Sequence, residues 1–224
     1  ADWICGGALI EEGNGDIRRH PNGEPAVHVL FFKQDEVQLH SNWNPSGLRG
    51  TGSVDFEVSD VFVPEDRWTV LGASRRQVDA PLYRFPFFGY FAAAVACVPL
   101  GIARRAIDDF ETLARTKVPT ANKSSLSTSS IAQIEFGHAE SLAQGSAHYL
   151  RSVVQQAWQR INTEGSASLE DRRALRLAAS QATLMATQAV DKVYNAAGGS
   201  ALQGDISLQK HFRDIHAATQ HRMV

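Results

Sequence analysis

The run SLEDRRALRLAASQATLMATQAVDKVYNAAGG, residues 168–199, carries apolar side chains at Leu175, Ala178, Ala179, Ala182, Met185, Ala189, Val190 and Val193. Steps of three and four follow the α-helical turn of about 3.6 residues and place this set on one stripe. Its start is marked by Ser168 as N-cap with Asp171 at N3, a variant of the capping box, and its stop by Gly198-Gly199. A long amphipathic helix of this kind must bury its stripe against other elements, so the reading of residues 168–199 decides what the neighbouring segments have to be.

Two further stripes precede it. Ala103, Ala106, Ile107, Phe110, Leu113 and Ala114 form one, and Leu142, Ser146, Leu150, Val153, Ala157 and Ile161 form another. The Ser/Thr-rich stretch Ser124 to Ser130 reads as the loop between them, and a short fourth helix is expected from Leu208 to Arg222. Phe85 to Ala103 is uncharged and approaches the length of a membrane span. Pro86, Pro99 and the break at Gly89-Tyr90 favour a buried bundle helix, apolar all round, and more apolar surface than one bundle hides implies oligomerisation through this half.

Before residue 74 the period is two. Val54, Phe56 and Val58 alternate with Asp55 and Glu57, as in a half-buried strand. Trp3-Ile4-Cys5 with Ala8-Leu9-Ile10, and Ala26 to Phe32, are short strand-like runs separated by the turn signals Gly13-Asn14-Gly15 and Pro21-Asn22-Gly23. Val61-Phe62-Val63-Pro64 is expected to close the β section, because proline cannot donate into a continuing ladder. The predicted fold class is therefore α+β: an antiparallel β domain over 1–73, then an up-and-down four-helix bundle over 74–224.

The 224 residues carry 22 basic and 24 acidic side chains, a formal charge of −2, so no electrostatic field points to nucleic acid or an anionic membrane as partner. Cys5 and Cys97 are too few for a disulfide framework or a cysteine zinc site, and a cytoplasmic location is expected. The start Ala1-Asp2-Trp3 has neither an initiator Met nor a signal-peptide pattern, which suggests an internal piece.

Candidate chemistry sits in two places. Trp43 to Ser53 contains Gly47, Gly50 and Gly52, which mark a tight turn or a close backbone approach, with the hydroxyls of Thr51 and Ser53 beside them. Gly198-Gly199-Ser200-Ala201 is followed by Arg213-Asp214-Ile215 and by His221. His211, His216 and His221 are five apart, a step that turns about 140° around a helix, so they do not converge on a metal. Ala217 and Ala218 leave space on the face of His221 if the helix continues to it. Phe85, Phe87, Phe88, Tyr90 and Phe91 either wall a pocket or fill the bundle core.

With these motifs in this order, from β to α, the chain resembles the acyl-CoA dehydrogenase superfamily, and more narrowly its flavin-dependent aromatic monooxygenase branch. The resemblance covers the second part of that family's middle β domain and its complete C-terminal helical domain. It implies that Gly198, Gly199 and Ser200, with Thr51 and Ser53, bind flavin, the Gly-Gly turn commonly against the flavin of a neighbouring subunit. It also implies that His221, eight positions after Arg213, stands near the flavin C4a position. The family's N-terminal helical domain, and a Ser-Gly segment that approaches flavin N5, would precede Ala1, so the chain by itself is expected to be inactive.

Within the superfamily a dehydrogenase needs a carboxylate to take the substrate α-proton. The two positions such an acid would occupy fall near Phe91 and near His221-Arg222, and neither region carries one. An oxygenase instead uses a C4a-hydroperoxyflavin in a dry pocket, with a donor or base that His221 can supply. The resemblance thus implies the oxygenase component of a two-component monooxygenase, hydroxylating a phenolic substrate held by Phe87, Phe88 and Phe91. Its cofactor would be FMNH2 or FADH2, supplied by a separate NAD(P)H-dependent reductase, because no Rossmann glycine fingerprint is present. A homotetramer is expected. An acyl-CoA dehydrogenase, or a noncatalytic assembly module of the same fold, are the alternatives.

Overall fold

A computed structural model of the chain describes residues 2–70, 78–120, 122–204 and 206–224. The chain divides into two units, Ala1–Asn44 with Thr51–Asp79, and Pro45–Gly50 with Ala80–Val224. The junction expected around Ser74 lies outside the described residues. The short Pro45–Gly50 segment groups with the helices rather than with the strands that flank it in sequence.

In the first unit β1 (Trp3–Leu9) pairs antiparallel with β2 (Val27–Lys33), in a register running from Trp3 opposite Lys33 to Leu9 opposite Val27. β3 (Gln38–His40) pairs antiparallel with β4 (Asp55–Glu57), and β5 (Trp68–Thr69) adds to β2. Asp55 and Glu57 are exposed and Phe56 is half-buried, where its ring meets that of Phe32 edge-on at 6.4 Å between centroids. The turn signals at residues 13–15 and 21–23 are tight turns with positive φ at Gly15 and Gly23.

Three expectations for this unit are corrected. The run expected over residues 3–10 is one continuous strand that ends at Leu9, short of Ile10, with Gly6-Gly7 in the β1 ladder opposite Leu30 and Val29. Val61–Val63 is not a strand, and Phe62 is 85% exposed. Pro64 does not close the β section: it precedes a turn of 3-10 helix, Glu65–Arg67, after which β5 returns to the sheet.

The second unit holds α1 (Pro81–Arg84), α2 (Phe87–Thr116), α3 (Ser130–Glu164), α4 (Leu169–Ala197) and α5 (Ser207–Ala218). The α4 stripe is buried at Leu175, Ala178, Ala179, Ala182, Ala189, Val190 and Val193. It packs on Ala103, Ala106, Ile107 and Phe110 of α2 toward one end, and with Leu150, Val153 and Ala157 of α3 toward the other. Alanine dominates these faces, which lets the helix backbones approach closely. Across α2 and α3, Arg104 makes a two-pronged contact with Glu140 at 2.7 and 2.8 Å.

The α4 N-terminus is built as its sequence predicts. The Ser168 hydroxyl accepts the Asp171 N–H at 3.1 Å, and the Asp171 carboxylate accepts the Ser168 N–H at 2.8 Å. Burial pushes the Asp171 carboxyl up, but the Ser168 hydrogen bonds and the Arg160 guanidinium 2.8 Å away outweigh it and hold the group below its ordinary range. A carboxyl depressed in the folded state contributes stability above its unfolded pKa and loses it as pH falls through the folded one. Ser168→Ala is therefore expected to cost about 1 kcal/mol near neutral pH. Denaturant titrations at neutral and acid pH check this, with the penalty shrinking in acid as Asp171 protonates.

The uncharged segment 85–103 departs from expectation. It is buried on one face only, at Gly89, Ala92, Ala96, Pro99 and Ala103, while Phe87, Phe88, Tyr90, Phe91 and Val98 are exposed. Pro99 lies inside α2 without ending it. Among the described residues, α2 is the one helix long and apolar enough to cross a membrane. The Ser/Thr-rich loop contains a short 3-10 turn, Leu126–Thr128, before Ser129 caps α3.

Candidate functional site

α5 stops at Ala218, four residues before the expected end, and His221 lies in the turn beyond it. The Thr219 hydroxyl bonds back to the His216 carbonyl at 2.7 Å, a local side-chain contact that competes with helix continuation. The space beside Ala217 and Ala218 is thus not what exposes His221, and Ala218 is itself buried. The His221 ring instead meets Phe91 edge-on at 5.9 Å between centroids. Phe91 stacks on Phe87 at 6.1 Å, and Phe87 meets Phe88 at 5.3 Å.

His221, Phe91, Phe87 and Phe88 therefore form one contiguous set of rings at the start of α2. The bundle-core alternative for these phenylalanines is excluded, because Phe87, Phe88 and Phe91 are 45%, 64% and 42% exposed. The three histidines diverge. His211 Nε2 is 2.8 Å from Asp109, His216 Nε2 is 2.9 Å from Asp191, and His221 Nδ1 accepts the Met223 N–H at 3.2 Å.

A second assembly joins the two sequence motifs directly. A methyl group at Gly47 would lie 2.0 Å from the Arg213 carbonyl oxygen, so only glycine allows this approach. Next to it Leu48, with φ +52, donates its N–H to the Asp214 carboxylate at 2.7 Å. Arg213-Asp214 is thus the seat of the Pro45–Gly50 segment. The sequence signalled a close approach at Gly47 and left its partner, 166 positions from Leu48 in the case of Asp214, unidentified.

The Gly198-Gly199 turn closes α4. Gly198 has φ +59, and the Lys117 ammonium donates to the preceding Ala197 carbonyl at 2.5 Å. Gly199 is exposed, its φ is not positive, and no atom lies within 4 Å of where its Cβ would be. Nothing among the described residues requires glycine there, so the open backbone is available to another molecule. Ser200 is half-buried beside it. Thr51 and Ser53 belong to the first unit and are exposed.

Within the helical unit His221 and the Gly198-Gly199 turn do not converge. Phe91 marks the His221 end of α2, and Lys117, the residue after its last turn, marks the Gly198 end. At about 1.5 Å per residue the two ends are roughly 40 Å apart. His221 and Gly199 of one chain therefore lie too far apart to line a single pocket.

Residues 93–224 match the family described as "Acyl-CoA dehydrogenase, C-terminal domain". Over 215 residues the chain is 24% identical to indole-3-acetate monooxygenase of Pseudomonas putida, covering 96% of this chain and 54% of that protein. It is 26% identical over 233 residues to the flavin-dependent monooxygenase oxygenase subunit HsaA of Rhodococcus jostii, covering 99% and 58%. XiaF from a Streptomyces species, solved with FADH2 and glycerol, superposes with a TM-score of 0.80 at 22% identity, over 99% of this chain and 56% of its own. The chain spans about half the length of the curated relatives it matches.

Proposed function

The chain belongs to the acyl-CoA dehydrogenase C-terminal domain family, and from that premise we propose that it is part of the oxygenase component of a two-component flavin-dependent monooxygenase. The substrate is a phenolic or related aromatic compound, and a separate NAD(P)H-dependent reductase delivers the reduced flavin. The observation that carries this reading is the His221 imidazole set against the exposed ring wall Phe87, Phe88 and Phe91, on a helix that has no carboxylate before Asp108. An aromatic substrate fits such a wall by ring stacking. A dehydrogenase would need an acid there and finds none.

The residues fit a flavin. Gly199 offers a bare, open stretch of backbone that a flat ring system can approach, with Ser200 beside it and Lys117 holding the turn from behind. When bound, reduced flavin supplies the electrons that activate O2 for transfer of one oxygen atom to the substrate. The chain's own tasks are to bind, orient and exclude water: the phenylalanines hold the substrate ring, and His221 presents a polar ring nitrogen to the reacting oxygen. Thr51 and Ser53 are proposed as further flavin contacts.

Because His221 and Gly199 lie at opposite ends of α2, a complete site takes His221 from one copy and the glycine turn from another. We read the helical unit as the family's four-helix bundle, assembled into a homotetramer. Val98, Leu177 and Leu184 are each about half exposed on α2 and α4, apolar surface that a second copy would cover. Light scattering in detergent-free buffer is expected to give an oligomer at micromolar concentration, and a stable monomer would remove the shared site. The function itself is tested by supplying full-length protein with reduced flavin, O2 and a panel of phenols and indoles. Hydroxylated product is expected, whereas hydrogen peroxide alone with every compound would count against the assignment.

A further inference from the structure

His221 can act on a bound group either by donating a hydrogen bond or by accepting a proton, and its surroundings distinguish the two. Its Nδ1 faces the backbone N–H of Met223 at 3.2 Å. A backbone N–H only donates, so the ring nitrogen that receives it must carry a lone pair, and the neutral imidazole then bears its proton on Nε2. The direction of the Met223 N–H is itself fixed. It shares one planar peptide unit with the Arg222 carbonyl, which accepts from Arg176 Nη2 at 3.2 Å. The next peptide unit is held as well, since the Met223 carbonyl accepts from Arg176 Nη1 at 2.6 Å. The Met223 side chain is buried with Ala92, Ala96, Leu175 and Ala178, which anchors the turn from below.

We propose that Arg176, on α4, is a positioning residue that grips both peptide units around Met223 and thereby fixes His221 as a hydrogen-bond donor through Nε2. The planar guanidinium suits this because it offers two donors in a fixed fork, which a lysine ammonium does not. For Nε2 to accept a proton, the ring would need its other tautomer, with Nδ1–H pointing at Met223 N–H and both donors unsatisfied. Joined to the flavin reading, on which its chemical consequence rests, the inference makes His221 a donor to an oxygen acceptor in the site and not the base that takes a phenol proton.

The test reads the tautomer directly. Full-length protein labelled with 15N-histidine is examined free of flavin by solid-state NMR at mildly alkaline pH, where imidazoles are neutral. The spectrum of the His221→Gln variant is subtracted to isolate His221. A bare Nδ1 and a protonated Nε2 are expected in the wild type. Arg176→Gln is expected to split the His221 signals between the two tautomers, and Arg176→Lys to do so less. A proton on Nδ1 in the wild type overturns the inference, as does an Arg176→Gln spectrum identical to wild type. A merely structural Arg176 would lower the melting temperature and leave the tautomer unmoved. In turnover, His221→Gln, which keeps an N–H donor without a basic nitrogen, should retain more hydroxylation than His221→Ala; equal loss in both overturns the donor role. A protein with the expected tautomer that fails to hydroxylate any aromatic compound would instead sink the flavin reading alone.

Discussion

Replacing His221 by alanine in the full-length protein should lower the rate of substrate hydroxylation by about 10²–10³-fold, the usual worth of a positioned hydrogen-bond donor. The loss should fall on oxygen transfer and not on cofactor capture. On the proposed reading reduced flavin is held by another copy's Gly198-Gly199 turn and by the β unit rather than by His221, so its binding and its consumption by O2 should continue. The flavin is then spent on hydrogen peroxide, and product formed per flavin oxidised falls with the rate. Stability should change little, because the His221 ring is exposed and its contacts are the edge of Phe91 and one backbone N–H. An unchanged product yield and rate would make His221 a surface histidine.

The second large effect concerns assembly. Gly199→Trp fills the open side of the turn, where a Cβ would meet nothing within 4 Å beyond its chain neighbours among the described residues, and is expected to abolish flavin binding without disturbing the fold. Mixed oligomers of Gly199→Trp and His221→Ala subunits should nevertheless recover activity. If each site takes its histidine and its glycine turn from different copies, a mixed pair contains one doubly altered site and one intact site. Half of randomly formed pairs are mixed, so recovery is on the order of a quarter of wild type. Activity measured after co-refolding or co-expression checks this, and an inactive mixture would mean that both residues act within one chain's site.

The long helices α2, α3 and α4 were legible in the sequence because their causes are local, whereas the single turn α1 was not. The α4 stripe follows helical periodicity, and its start needs only a serine and an aspartate three residues apart. β3 and β5 were not legible, since strands of three and two residues are too short for alternation to register and exist only through their partners. The exposed rings of α2 were misjudged for a related reason. Composition reports that residues 85–103 are apolar but not which side faces a neighbour, and a stretch hydrophobic all round reads as core until packing shows one face bare.

Of the candidate site, the residue types were legible and their partners were not. Gly47 announced a close approach, and Arg213 carries the carbonyl it approaches. His221 was expected on a helix face, whereas α5 ends at Ala218 and the histidine lies in the turn that follows. Arg176 gave no signal at all, because its role comes from two carbonyls 46 and 47 positions away. Its neighbours on α4 suggest only an exposed helical arginine. Local rules therefore delivered the scaffold, and long-range backbone contacts delivered the setting of the candidate side chain.

The measurement that bears most directly on the oxygenase assignment is single turnover of the full-length protein with reduced flavin, isotopically labelled O2 and an aromatic substrate, followed by mass spectrometry of the product. The assignment predicts a hydroxylated ring carrying one labelled oxygen atom, with no bleaching of oxidised flavin when an acyl-CoA is added instead. Product oxygen derived from water, or flavin reduced by an acyl-CoA with formation of a 2-enoyl thioester, would contradict it.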